Sequence, residues 1–433
     1  MKTITLKLII GLFVFNLLAN FGAGQSPEDF KGSQESEKQA YENYKAGRLP
    51  DFLENMRKAN ALRQNHPRLI YNLSVALALN GKAEDALLSL ERLAEMGLFF
   101  SLEKDDDLKS LFELERFPAL KNRFGKNKDP LKISTKLFSI PDKTLITEGI
   151  AYDPESRRHF VSSVHQRKIV AVDEKGMVRD FSSEADGLWS VLGMRVDPAR
   201  SILWASSAAF PQMRGFEESE NGKSAVFKYD LKSGKLLKKY VVSGEGEKHA
   251  LGDLVIDGSG NVYASDSISP KIYRIGTEKD EIEVFIESEM FASLQGLALS
   301  PDGKWMFAAD YSKGIFRIDM DSKDIVQLIP APNITVLGID GLYYYSGDLI
   351  GIQNGVTPQR VFRLHLDDAK SKIDRFQTLE ANHENFNEPT LGVVVGDNFH
   401  FVANSQWSLV NNKGELAEEK LQEPVILNLK LSR

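Results

Sequence analysis

Six segments repeat one pattern: a short apolar strand, a turn rich in Asp, Gly or Pro, and a second apolar strand. They read Glu148-Gly-Ile-Ala-Tyr-Asp-Pro, Leu192-Gly-Met-Arg-Val-Asp-Pro, Gly252-Asp-Leu-Val-Ile-Asp-Gly, Gln295-Gly-Leu-Ala-Leu-Ser-Pro, Asp340-Gly-Leu-Tyr-Tyr-Tyr and Leu391-Gly-Val-Val-Val-Gly. Their period, roughly 45–60 residues, is that of one four-stranded propeller blade. The pattern predicts a mainly β protein, a six-bladed β-propeller. In such a ring the residue opening each innermost strand stands at one mouth of the central channel. Glu148, Gly252, Gln295 and Asp340, far apart in sequence, would then face one another.

The rest of the chain is organised around that ring. Lys2 and Lys7, the apolar run Leu8 to Leu18 and the small residues Gly22, Ala23 and Gly24 read as an export signal over 1–24. The expected location is the periplasm or the medium of a bacterial cell. Residues 25–37 are polar and expected to be loose. From 38 to 124 the apolar period becomes helical, with Ile70, Leu73, Ala76, Leu77, Ala86, Leu90 and Leu93 at three- and four-residue spacings. Residues 125–131 read as a linker and 132–433 as the propeller. The last blade ends after three strands, at Val425-Ile-Leu-Asn-Leu-Lys-Leu. The unassigned segment 132–140 is therefore expected to supply its fourth strand and close the ring, hiding open sheet edges.

Composition narrows the chemistry. The formal net charge is -7 and no long basic run occurs, which argues against nucleic acid as the main partner. There is no cysteine, so disulfides, thiolate metal sites and a cysteine nucleophile are excluded.

Loops entering the inner strands and loops joining second to third strands share one face. They would bring Glu148, Asp253, Gln295 and Asp340 together with His165, Tyr311, Gln353, Asn354, Asn404 and Trp407. The long blade-2 loop with Phe210, Pro211 and Phe216 is expected to act as an apolar lid. Carboxylates with amide oxygens on one axis suit a hard divalent cation. His165 is the candidate base beside Asp340. Trp189, Tyr311 and Trp407 could stack on a sugar face, with Gln353, Asn354 and Asn404 as further candidate substrate contacts. The competing reading is that the acidic residues only satisfy strand-end amides around a wet channel.

Two resemblances add to this. The helical segment resembles a tetratricopeptide repeat through Ile70, Leu73, Ser74, Leu77, Gly81, Ala86 and Leu90, with a weaker copy through Gly47, Leu49, Phe52, Ala59 and Pro67. This implies a surface able to grip a protein partner. The propeller resembles the gluconolactonase/regucalcin family and its strictosidine-synthase-like relatives through Glu148-Gly, Gln295-Gly-Leu-Ala-Leu-Ser-Pro-Asp-Gly and Asp340-Gly. The resemblance implies a metal site at Glu148, Gln295 and Asp340, calcium being the first choice, and a hydrolase of a small lactone or ester with its ligand in the channel. Gln295 replaces the family's asparagine. Gly252 replaces another, with Asp253 beside it. The alternative is a non-catalytic ligand- or protein-binding scaffold at the cell envelope.

Overall fold

The computed structural model describes residues 25–242 and 246–431. The expected signal, 1–24, lies outside the described residues. Among those described, no helix is long and apolar enough to cross a membrane.

Among the described residues five α-helices precede the sheets: Pro27–Lys45, Leu49–Leu62, Pro67–Leu79, Ala83–Glu95 and Phe117–Asn127. Ala40, Ala59, Ala76 and Ala86 are fully buried, and such small side chains let helices approach closely. Gly47 and Gly81 turn the chain between paired helices at φ +70° and +69°, where a side chain would be strained.

The segment 25–37 is not loose, which corrects the expectation. It forms the start of the first helix, where Ser26 and Asp29 make a reciprocal capping box around Pro27. Ser33 Oγ, buried in the helix pair, donates to Ala59 O at 2.9 Å. Polar composition concealed a helix held by its cap and by its neighbour. The linker also begins later than expected, because Gly125 to Asn127 continue the last helix. It is docked as well. Leu131 forms a β-bridge with Ala381, and the buried Glu380 carboxylate accepts from the amides of Ile133 and Ser134 at 2.9 Å each.

The remainder is a six-bladed β-propeller of six four-stranded antiparallel sheets. The innermost strands are Thr147–Asp153, Ser190–Asp197, Leu251–Ile256, Leu294–Leu299, Ile339–Tyr345 and Gly392–Val395. Each touches its neighbours around the axis. Between the sheets lie fully buried aromatic rings, among them Phe160, Phe227, Phe307, Phe316, Phe362 and Phe399. These residues hold successive blades together by apolar burial.

The sixth sheet takes its outer strand from the start of the propeller. Thr135–Ser139 pairs antiparallel with Val425–Lys430, so the ring closes as the strand count requires.

The helical domain sits against blades 4 and 5. Arg63 donates to Ser312 O at 2.8 Å, and Phe99 N donates to Thr357 O at 2.8 Å. The buried Arg360 guanidinium donates to Met96 O at 2.9 Å and to Gln353 Oε1 at 2.7 Å, and lies over the Phe376 ring. Among the described residues no carboxylate pairs with Arg360, and burial lowers its pKa to about 9. Met96 and Gln353 belong to different domains, so this one side chain bolts them together.

Candidate functional site

The inner strands of the first five blades share a local irregularity. Register slips between Thr147 and Ile150, Val191 and Met194, Leu251 and Leu254, Leu294 and Leu297, and Ile339 and Leu342. Each slip is a bulge spanning the two residues of the repeated motif, and bulges re-aim side chains. In four of these blades the second residue is glycine because the next blade's backbone fills the space of a side chain. A Cβ on Gly149 would lie 2.3 Å from Leu192 O, and one on Gly296 would lie 2.3 Å from Leu342 N. Ser162, Ser206 and Ser265 bond the bulges of blades 1 to 3 from the second strand.

The first bulge residues gather at one end of the channel. Glu148, Leu192, Gly252, Gln295, Asp340 and Leu391 line a cavity of about 170 Å³, joined by Asp253, Ser267, Phe210 and Trp407. One arc is acidic and polar, the other apolar.

Each carboxylate of the pair is held by one oxygen. Glu148 Oε2 accepts from Trp407 Nε1 at 2.6 Å and Ser405 Oγ at 3.1 Å. Asp340 Oδ2 accepts from Asn354 Nδ2 at 2.7 Å. Among the described residues, Glu148 Oε1 and Asp340 Oδ1 have no protein donor. Burial, then the charge of Asp340, pushes the Glu148 carboxyl well above the usual range. Burial likewise raises Asp340 to about 7, against the pull of Asn354 and with the charges of Asp253 and Glu388 adding to it.

Blade 3 exchanges the two bulge positions. Gly252 stands where the other blades have their axial side chain, and a Cβ there would meet Ser267 Oγ at 2.8 Å. Asp253 stands where the others have glycine. Its Oδ2 pairs with Arg195 at 3.1 Å and accepts from Leu297 N at 3.3 Å, while its buried Oδ1 has no partner. Arg195 continues onto the Tyr343 ring and lines a second cavity further along the channel with it. The Arg195–Asp253 pair therefore stands between the two cavities.

The donor set is oxygen only: free carboxylate oxygens on Glu148 and Asp340, the Gln295 amide oxygen and the Ser267 hydroxyl. It fits a hard divalent cation in chemistry. Asp253, expected as a further ligand, has Oδ2 held by Arg195 and Oδ1 enclosed against Gly193, so it offers the cavity no free oxygen. Among the described residues no group of three His, Asp or Glu side chains stands close enough to hold an ion by itself, so amide oxygens and water would have to complete the shell.

Other expected residues have different placements. His165 does not line the cavity; its Nδ1 is held by Gln212 O at 2.8 Å, beneath the blade-2 loop. Trp189 is buried in blade 2, its indole N–H bonded to Glu220 and Lys239 over its ring, so it offers no sugar platform. Gln353 donates to Thr335 O and Leu337 O and accepts from Arg360. Asn404 bonds Glu423 O and Val425 N. Both are clamps for neighbouring loops, not substrate contacts. Of the proposed lid only Phe210 reaches the cavity, edge-on to Trp407 with ring centroids 5.8 Å apart; Phe216 packs into the blade-2 core.

Ser405 lies within the blade-6 loop, 404–407, expected on this face. Arg195, and Glu388 through its charge, join the site without having been expected. Glu388 lies in the loop entering the sixth inner strand, so the loop rule that selected Glu148 could have found it. Arg195 occupies a strand interior, where sequence gives no such signal.

A third and larger cavity of about 880 Å³ lies where the helical domain meets blades 4 and 5. Tyr311 and Asn354 stand on its wall.

No protein-family model matches the chain, and no characterised relative matches it. Similar solved structures include regucalcin of Agrobacterium tumefaciens, described as a calcium-binding protein (13% identity, 69% of this chain and 93% of that one, TM-score 0.49). A gluconolactonase of Xanthomonas campestris is 14% identical over 70% of this chain and 95% of that one, TM-score 0.44. The PQQ-bound aldose sugar dehydrogenase of Streptomyces coelicolor is 15% identical over 70% and 98%, TM-score 0.47. Gluconolactonase- and regucalcin-like propellers are thus among the structures this chain is similar to.

Proposed function

We propose that the protein hydrolyses a small lactone or ester at the Glu148–Asp340 end of the channel, with a divalent cation held by oxygens of Glu148, Asp340 and Gln295, calcium being the first choice. The observation that supports this reading is the convergence of two buried carboxylates, each fixed by one oxygen and free at the other, in an oxygen-lined cavity. When bound, such an ion polarises a carbonyl and lowers the pKa of a water.

The protein's own side chains do the rest. Trp407 and Ser405 fix the Glu148 carboxylate, and Asn354 fixes that of Asp340. The Asp340 carboxylate is the group that takes a proton from an attacking water in this reading. Leu192, Leu391 and Phe210 exclude bulk water from the opposite arc. Arg195 balances Asp253, leaving the charge of the pair as the cavity's net charge. His165 has no part in this scheme.

The test is turnover of simple lactones and aryl esters. Activity that requires divalent metal and falls at least about 100-fold in Asp340→Asn supports the reading. Full activity in that variant removes the pair from the chemistry. We further propose that the protein works outside the cytoplasm, which the N-terminal residue of the mature chain from its native host would decide.

A further inference from the structure

The channel cavity, at about 170 Å³, is small beside the 300–1,000 Å³ of typical ligand sites, whereas the interdomain cleft, at about 880 Å³, is within that range. They share no lining residue, but one side chain stands between their walls. Asn354 lines the cleft and donates to Asp340 Oδ2 at 2.7 Å, and Tyr311 Oη, also on the cleft wall, donates to Asn354 Oδ1 at 3.1 Å. A substrate reacting beside Asp340 and larger than a small ring has this cleft next to it for its remainder.

The lining says what that remainder is. Tyr71, Phe99 and Phe100 come from the helical domain, and Tyr311, Val356 and Phe386 from the propeller. Tyr71 and Phe100 are stacked with centroids 4.8 Å apart. Among the described residues no carboxylate lines the cleft, in contrast to the acidic channel cavity; Ser312, Thr357, Gln359 and Asn382 add neutral polar groups at its wall. Its titratable groups besides Tyr71 and Tyr311 are Arg68, already paired with Glu37 at 3.0 Å, and His66, whose Nδ1 accepts from Leu69 N. Arg360 and the Phe99–Thr357 bond fix the two walls relative to each other, so the cleft is a built feature of the fold.

We propose that the interdomain cleft is a specificity site for an apolar tail, alkyl or aryl, carried by the substrate, with the helical domain supplying one wall. This rests on the reading of the channel pair as the reacting end. It gives the helical domain a role in choosing the substrate.

The test is calorimetric binding of non-hydrolysable γ-lactams whose saturated tails lengthen from methyl to octyl, with calcium present. Each added methylene should tighten Kd by about three- to fourfold until the cleft is filled. Val356→Trp and, separately, Phe386→Trp should flatten that dependence, with circular dichroism confirming that each variant is folded. Equal Kd values for methyl and octyl lactams, or a tail dependence that survives both variants, would overturn the proposal. Tail-dependent lactam binding without turnover of the matching lactones leaves the cleft standing and rejects the hydrolase. Turnover indifferent to tail length does the reverse.

Discussion

Gly193 lies against Asp253 across the seam between blades 2 and 3: a Cβ on the glycine would stand 2.8 Å from both Asp253 Cα and Asp253 Oδ1, and 2.7 Å from Gly252 O. The close approach sets the carboxylate that pairs with Arg195. Gly193→Ala should therefore destabilise the protein by about 3 kcal/mol, since backbone must move to admit the methyl. Gly258→Ala, with nothing within 4 Å, should change stability by no more than about 0.5 kcal/mol. Urea denaturation of the two variants checks the contrast.

Asp340→Asn should stabilise the metal-free protein at pH 8 while abolishing turnover. The wild-type carboxylate is buried with a pKa of about 7, so at pH 8 its ionisation opposes folding. Removing the charge should gain about 2 kcal/mol, measured by thermal unfolding in chelator. A variant less stable than wild type under those conditions would contradict a strained acidic pair.

The ring closure carries an opposite pH dependence. His159 of blade 1 and His400 of blade 6 meet at 3.0 Å, and burial lowers their pKa values to about 3 and about 4. For a lowered histidine the unfolded chain binds the extra proton below about pH 6.5, so stability is full above that value and is lost as pH falls toward 4. Asp340, raised to about 7, does the reverse, gaining stability as pH falls from 7 to about 4. Asp340→Asn should thus steepen the acid loss, and His400→Leu should flatten it, in unfolding curves measured from pH 7 to 4.

Arg360→Leu should loosen the helical domain without opening the propeller. It removes the bond to Met96 O that joins the domains. Hydrogen exchange should quicken at the Phe99 amide, which donates to Thr357 O across the interface, and stay slow in the inner strands.

Much of this was legible in the sequence because it was periodic. Repeats of apolar strand and turn require a ring, and the unpaired strand at 132–140 had one vacant place to fill. Glu148, Gln295 and Asp340 could be brought together because each occupies the same position in its repeat. The rest was not periodic. The helix at Pro27–Lys45 is stabilised by a cap and by tertiary contacts that its polar composition does not show. The exchange of Gly252 and Asp253 is readable as letters, but its consequence, a carboxylate paired with Arg195 from another blade, is a tertiary fact. Trp189, Gln353 and Asn404 look like ligand contacts as residue types, yet their polar atoms are bound to neighbouring loops. The cleft depends on how two domains dock, which no local pattern encodes.

The most direct measurement is anomalous diffraction from crystals grown with Mn²⁺ in place of calcium, for wild type and Asp340→Asn. The account predicts a peak between Glu148 and Asp340 in the wild type, within reach of Gln295 Oε1, that disappears in the variant. A wild-type map with no peak there, or one unchanged by the substitution, would contradict it.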